Sequence, residues 1–124
     1  MRRYSKDHTW IAAEGTRARV GISDFAQGEL GDIAYVELPA PGRQVQRGEV
    51  ACTVDSLKSS SEIYAPVSGS IVEVNPALST EESYLIINRD PLGEGWLFAM
   101  EIADPAELDL LLSEDEYAAY TRGG

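Results

Sequence analysis

Two apolar stretches separated by one short polar turn constrain this chain more than any other feature. Val50, Cys52 and Val54 alternate with their neighbours before the turn, and Ile63, Ala65 and Val67 resume the pattern after it. Period-two alternation belongs to strands, where successive side chains point to opposite faces. The stretch therefore reads as strand, turn, strand. Lys58 is the one lysine of the turn, within Asp55-Ser56-Leu57-Lys58-Ser59-Ser60-Ser61. An amine at a hairpin tip is well placed to carry a covalent group on a flexible stem.

The same period recurs along most of the chain. Residues 4–22 predict a hairpin, with Trp10, Ile11 and Ala13 on one side of its first strand and Glu14-Gly15 as its turn. Ala18, Val20 and Ile22 alternate with charged residues. Ser23 caps a short helix over 24–30, and Gly31 stops it. Residues 32–38 alternate again, with Ile33, Tyr35 and Glu37 against Ala34, Val36 and Leu38; Pro39 to Gly42 is a turn. Two units starting at Val45 and Val67 share a valine, a glycine and spaced apolar residues around Lys58. This weak repeat predicts a barrel or sandwich on a quasi-two-fold axis near Lys58. After a loop rich in Ser, Thr and Glu, Tyr84 to Ile87 predicts a short strand and 88–95 a turn-forming loop. Trp96 to Ile102 predicts the last strand, with Trp96, Phe98 and Met100 on one face.

Beyond Ile102 the period changes to 3.6. Asp104, Pro105 and Glu107 form a helix start, and Leu108, Leu111 and Leu112 an apolar stripe. Ser113 to Glu116 repeats the capping pattern for a last helix bearing Tyr117 and Tyr120. These helices are expected to cover an open end of the sheets.

Composition narrows the function classes. A length of 124 residues with 44% hydrophobic content predicts one domain spanning 1–124. Ten basic and 21 acidic residues give a net charge of −11, which repels nucleic acid and anionic membranes and attracts basic partner surfaces. No apolar run approaches the roughly 20 residues of a membrane helix. The first seven residues lack the apolar core of a secretory signal. The lone cysteine, Cys52, forms no internal disulfide and is expected to face the core. With one Cys and one His there is no metal-ligand spacing, and His8 has no assignable nucleophile, so a structural role is expected for it.

Five stretches, taken together, carry a family resemblance: His8-Thr9-Trp10, Val20 to Gln27, Leu30 to Pro39, the Lys58 hairpin, and Gly93-Glu94-Gly95-Trp96-Leu97. Their order and spacing resemble the glycine cleavage H-protein family over almost the whole chain. The resemblance implies a mainly β fold, a flattened β-sandwich of the lipoyl/biotinyl-carrier (barrel-sandwich hybrid) type with short peripheral and C-terminal helices. It implies a non-catalytic carrier with lipoate joined to Lys58 through an amide, attached by a lipoate ligase or lipoyltransferase. Asp55, where glutamate is usual, and Gly69 would then serve lipoylation recognition. Asp7, Thr9 and Glu62 would belong to the cleft that receives the loaded arm. The implied partners are glycine decarboxylase, aminomethyltransferase and dihydrolipoyl dehydrogenase, between which the arm would shuttle an aminomethyl group. The resemblance also implies a bacterial cytoplasmic location, or a mitochondrial matrix if a transit peptide was removed.

One departure leaves a second cargo open. The family usually reads His-Glu-Trp where this chain reads His8-Thr9-Trp10, so a carboxylate that would face the amine of the cargo is missing. Asp7 stands nearby as a substitute. The alternative resemblance is to H-like lipoate-binding proteins of sulfur oxidation, which serve heterodisulfide-reductase-like subunits and carry sulfur intermediates. The loop at 79–83 also looks longer than usual and lacks its proline.

Overall fold

The period-two pattern becomes two antiparallel sheets in the computed structural model, which describes residues 2–123. The elements in chain order are β1 (Arg2–Tyr4), β2 (Thr9–Glu14), β3 (Arg17–Ile22), α1 (Asp24–Leu30), β4 (Ile33–Glu37), β5 (Gln44–Val45), β6 (Val50–Ser56), β7 (Ser60–Tyr64), β8 (Gly69–Val74), α2 (Glu81–Arg89), β9 (Phe98–Ile102) and α3 (Glu114–Gly123). A 3₁₀ helix over Pro105–Leu110 precedes α3. The larger sheet has the order β1-β2-β3-β9-β8-β5, and the smaller β4-β6-β7. The main strands of the two repeat units, β6 and β8, fall in different sheets, and the Lys58 hairpin is formed by β6 and β7.

The inner faces of both sheets bury one continuous core. Ile11, Val20, Ile22, Ile71, Phe98, Met100 and Ile102 supply the large sheet's side, and Ile33, Val36, Cys52, Val54 and Ile63 the small sheet's. Burying each such aliphatic or aromatic side chain is worth roughly 1.5–3 kcal/mol, the main force holding the sheets together. A second cluster of Tyr4, Trp10, Trp96, Ala99 and Tyr117 lies on the other face of the large sheet. There Tyr4 and Tyr117 stack with centroids 4.3 Å apart, which docks α3 on β1. The last helix thus covers the outer face of the large sheet at β1 rather than an open end, and the segment before it is a 3₁₀ helix ending at Leu110, with Leu112 bridged to Tyr4. Among the described residues no helix is long and apolar enough to cross a membrane.

Several sequence expectations need correction. Tyr84 to Ile87 is not a strand but the middle of α2. A short apolar run cannot be assigned by periodicity alone. The cap decides: Thr80 Oγ1 accepts from the Ser83 N–H, and Ser83 Oγ accepts in return from the Thr80 N–H. Tyr84 and Ile87, three apart, then face the core. Trp10 does not share a side with Ile11, because consecutive strand residues point to opposite faces. Trp96 precedes β9 and joins the second cluster, so it does not share a face with Phe98 and Met100. The first hairpin also gains an edge strand, β1, paired with β2.

Gly69 lies within β8, between Val45 and Ile102, rather than in a turn. A Cβ there would collide with the carbonyl oxygen of Glu101 and sit 3.1 Å from Met100 Cε. The close approach of β8 and β9 therefore requires glycine. Gly69→Ala is expected to lose about 3 kcal/mol of stability, at the upper end of overpacking costs. Urea denaturation checks this; an unchanged midpoint would contradict the packing account.

Candidate functional site

A single hydroxyl organises the tip of the β6–β7 hairpin. Ser56 Oγ accepts from the N–H groups of Lys58 (3.3 Å) and Ser59 (3.0 Å), while the Ser56 N–H donates to the Ser59 carbonyl at 2.8 Å. Serine favours turns for this reason: its side chain satisfies backbone donors that have no strand partner. The tip is also pinned from below, since the Leu57 N–H donates to the Asp32 carbonyl at 3.2 Å.

Lys58 projects from this fixed backbone. It is exposed, and among the described residues it forms no ion pair. Its Cε passes 3.5 Å from where a Cβ of Gly31 would be. Gly31 ends α1 at φ 78° and ψ −159°, a conformation open to glycine and costly for other residues. The stem of the lysine thus leans over the helix end. Leu57 beside it is 80% exposed, an apolar side chain left in water at the hairpin tip.

The other expected site residues divide into two groups. Asp55 and Glu62 lie on the outward face of the small sheet. Asp55 opposes Tyr35 and Ser60 and accepts a hydrogen bond from the Ser60 hydroxyl; Glu62 opposes Thr53. Asp7 and Thr9 belong to the segment entering β2 in the large sheet. Asp7 is exposed, and its N–H donates to Ser5 Oγ at 3.2 Å. Thr9 is wholly buried opposite Ile22, and among the described residues its hydroxyl has no hydrogen-bond partner. Among the described residues no hydrogen bond or ion pair joins these two groups. Gly69 lies apart from the tip, in β8.

The remaining reactive side chains are accounted for structurally. Burial, with the Glu37 charge as a smaller cause, pushes the Cys52 thiol up to about 12, so it is an inert core residue. His8 takes φ 67°, and its Nδ1 shares a hydrogen bond of 2.7 Å with the Tyr117 hydroxyl, which in turn contacts Ser23 Oγ at 2.6 Å. It ties the amino-terminal segment to α3 and to the cap of α1. Among the described residues no cluster of His, Cys, Asp or Glu can hold a metal. A depression of about 1080 Å³ on the outer face of the large sheet includes Trp10, Arg19 and Trp96, but no residue of the hairpin tip. Sequence reasoning missed the roles of Ser56, Gly31 and Asp32. Only the glycine stop after α1 signalled any of them.

Comparisons with known proteins agree with this fold. The family model described as Glycine cleavage H-protein matches residues 2–123. A Glycine cleavage system H protein of Thermotoga maritima is 50% identical over 120 residues, covering 97% of this chain and 95% of that protein. One of Thermus thermophilus is 50% identical over 114 residues, covering 92% of this chain and 88% of that protein. A crystal structure of a glycine cleavage system H protein from Mycobacterium marinum superposes with a TM-score of 0.87 at 39% identity, covering 98% of this chain and 96% of that one.

The orphaned hydroxyl of Thr9 gives a direct test of its burial. Replacing an unsatisfied buried donor with a methyl group of the same shape removes a desolvation cost of about 1 kcal/mol or more. Thr9→Val is therefore expected to raise stability by about 1 kcal/mol in urea denaturation. A loss of stability would mean that the hydroxyl has a partner.

Proposed function

The chain belongs to the glycine cleavage H-protein family, and from that premise we propose that Lys58 is its lipoyl attachment point. The observation that carries this reading is the exposed amine, without an ion pair among the described residues, on a hairpin tip whose backbone is pinned by Ser56 and Asp32. The residues present fit such a group. Acylation needs an accessible amine, and a lipoyl arm needs a rigid base from which to reach. Amide formation removes the ammonium and makes the net charge of −11 one unit more negative.

The chain is a lipoyl carrier of glycine cleavage, with no catalytic residue of its own. The lipoyl group, when bound, supplies a dithiolane that can be opened to carry the aminomethyl unit of glycine and later be closed again by oxidation. The protein supplies the position of the arm and the surface its partners recognise. Those partners are a lipoate ligase or lipoyltransferase, glycine decarboxylase, aminomethyltransferase and dihydrolipoyl dehydrogenase, in a bacterial cytoplasm. Asp55, three residues before Lys58 and on the hairpin's outer face, is assigned to recognition by the lipoylating enzyme. Gly69 acts with it by keeping β8 close to β9. Asp7 and Glu62, both exposed, are assigned to the cleft that receives the loaded arm, and Thr9 to the packing beneath it. The sulfur-oxidation alternative is not favoured, since the relatives of this chain carry the glycine-cleavage name.

Glycine–bicarbonate exchange with glycine decarboxylase tests the proposal. The lipoylated chain is expected to support exchange, and Lys58→Arg, which keeps the positive charge but cannot be lipoylated, is expected to support none. Equal exchange by both would remove Lys58 from the mechanism. No exchange by a lipoylated wild type would remove the glycine cargo.

A further inference from the structure

Asn88 of α2 is thirty residues from Lys58 in sequence, yet a chain of direct contacts connects the two. Its Nδ2 donates to the Gly31 carbonyl at 2.8 Å and to Gln27 Oε1 at 3.1 Å. Its Oδ1 accepts from the Ile33 N–H at 2.9 Å. One amide thus grips both sides of Asp32. The Asp32 carbonyl, held between these two grips, is the group that accepts the Leu57 N–H of the hairpin tip. Gly31 is also the residue over which the Lys58 stem passes, with Cε 3.5 Å from the missing Cβ.

The segment has little else to fix it. β4 begins only at Ile33, and its pairing with β6 is irregular between Ile33 and Tyr35, so the sheet ladder does not hold Gly31 and Asp32. The Gly31 N–H caps α1 through Gln27, but among the described residues Asp32 has no ladder partner of its own. The polarity of the contacts also specifies an amide. Facing an N–H on one side and two acceptor oxygens on the other, the side chain must present one acceptor and two donors. A carboxylate would satisfy Ile33 and repel Gly31 and Gln27.

We infer that Asn88 is a positioning residue for the Lys58 arm, acting through the Gly31–Ile33 segment on which the hairpin tip rests. This rests on the reading of Lys58 as the attachment point. A lysine whose tip is pinned presents its amine at one place to each enzyme that visits. A loosened tip spreads the amine over many positions, so fewer encounters are productive, and the loss falls on KM before kcat.

The test uses Asn88→Asp, which keeps the shape, and Asn88→Ser as a milder second variant. Asn75→Ala is the control: Asn75 also bridges two backbone carbonyls, those of Glu94 and Trp96, but it does not touch the hairpin. Amide hydrogen exchange at Leu57 is expected to rise at least tenfold in both Asn88 variants and to stay at the wild-type rate in Asn75→Ala. Lipoylation of the full chain by a lipoate ligase is expected to show a several-fold higher KM in the Asn88 variants with kcat kept. Equal acceleration at Leu57 in the control, no acceleration in the Asn88 variants, or faster exchange with unchanged lipoylation would overturn the inference. A wild type that is never lipoylated would instead strike the reading of Lys58 and leave the exchange result standing.

Discussion

Burial of two inner sheet faces against each other is the constraint on which the rest of this structure depends. β9 lies near the middle of the larger sheet, and Phe98, Met100 and Ile102 turn inward from it toward the small sheet. At roughly 25 cal/mol per Å² of apolar area removed from water, that contact outweighs any single polar interaction in the chain. The small sheet also packs against α2, which meets β4 through the Asn88–Ile33 hydrogen bond and the Tyr35–Tyr84 ring pair. Its three strands present an apolar inner face that needs cover, and their outward faces carry Glu37, Asp55 and Glu62 into solvent. Packed on the larger sheet, they become a firm platform for a hairpin that presents Lys58 to solvent.

The site is built from what the core leaves over. Hairpin turns expose backbone donors, and here Ser56 satisfies two of them. Just past the cap of α1, the Asp32 carbonyl is taken up by the Leu57 N–H. Two short elements with incomplete hydrogen bonding thus complete each other, and Lys58 lies where they meet. The amine has no internal partner among the described residues. That is costly for a core residue and ordinary for an exposed one, and it is what a covalent carrier needs.

Most of the sheet architecture was legible in the sequence, because inner-face residues such as Ala18, Val20 and Ile22 alternate without interruption. The cap of α1 was legible too, since Ser23 and Gly31 each have a local physical reason to be where they are. The errors arose where local pattern is ambiguous. Tyr84-Leu85-Ile86-Ile87 is too short to reveal its period, and Thr80 with Ser83 fixes it as helix from outside the run. Trp10 and Trp96 belong to a second cluster that has no signature in the residue pattern, because a sheet buried on both faces loses its polar side. Within the site, Lys58 stood out at its turn but drew its role from the family resemblance, whereas Ser56, Asp32 and Asn88 act through backbone contacts that leave no residue pattern. The burial of Thr9 was equally hidden: a threonine beside a tryptophan reads the same whether it faces water or core.

The reading of Lys58 as a single covalently modified lysine on this hairpin has a direct test. The most direct measurement is proteolytic peptide mapping by mass spectrometry of the chain produced in a lipoylating host. The account predicts a single lipoyl increment, carried wholly by the peptide containing Lys58. A chain that remains unmodified, or one whose increment maps to Lys6, would contradict it.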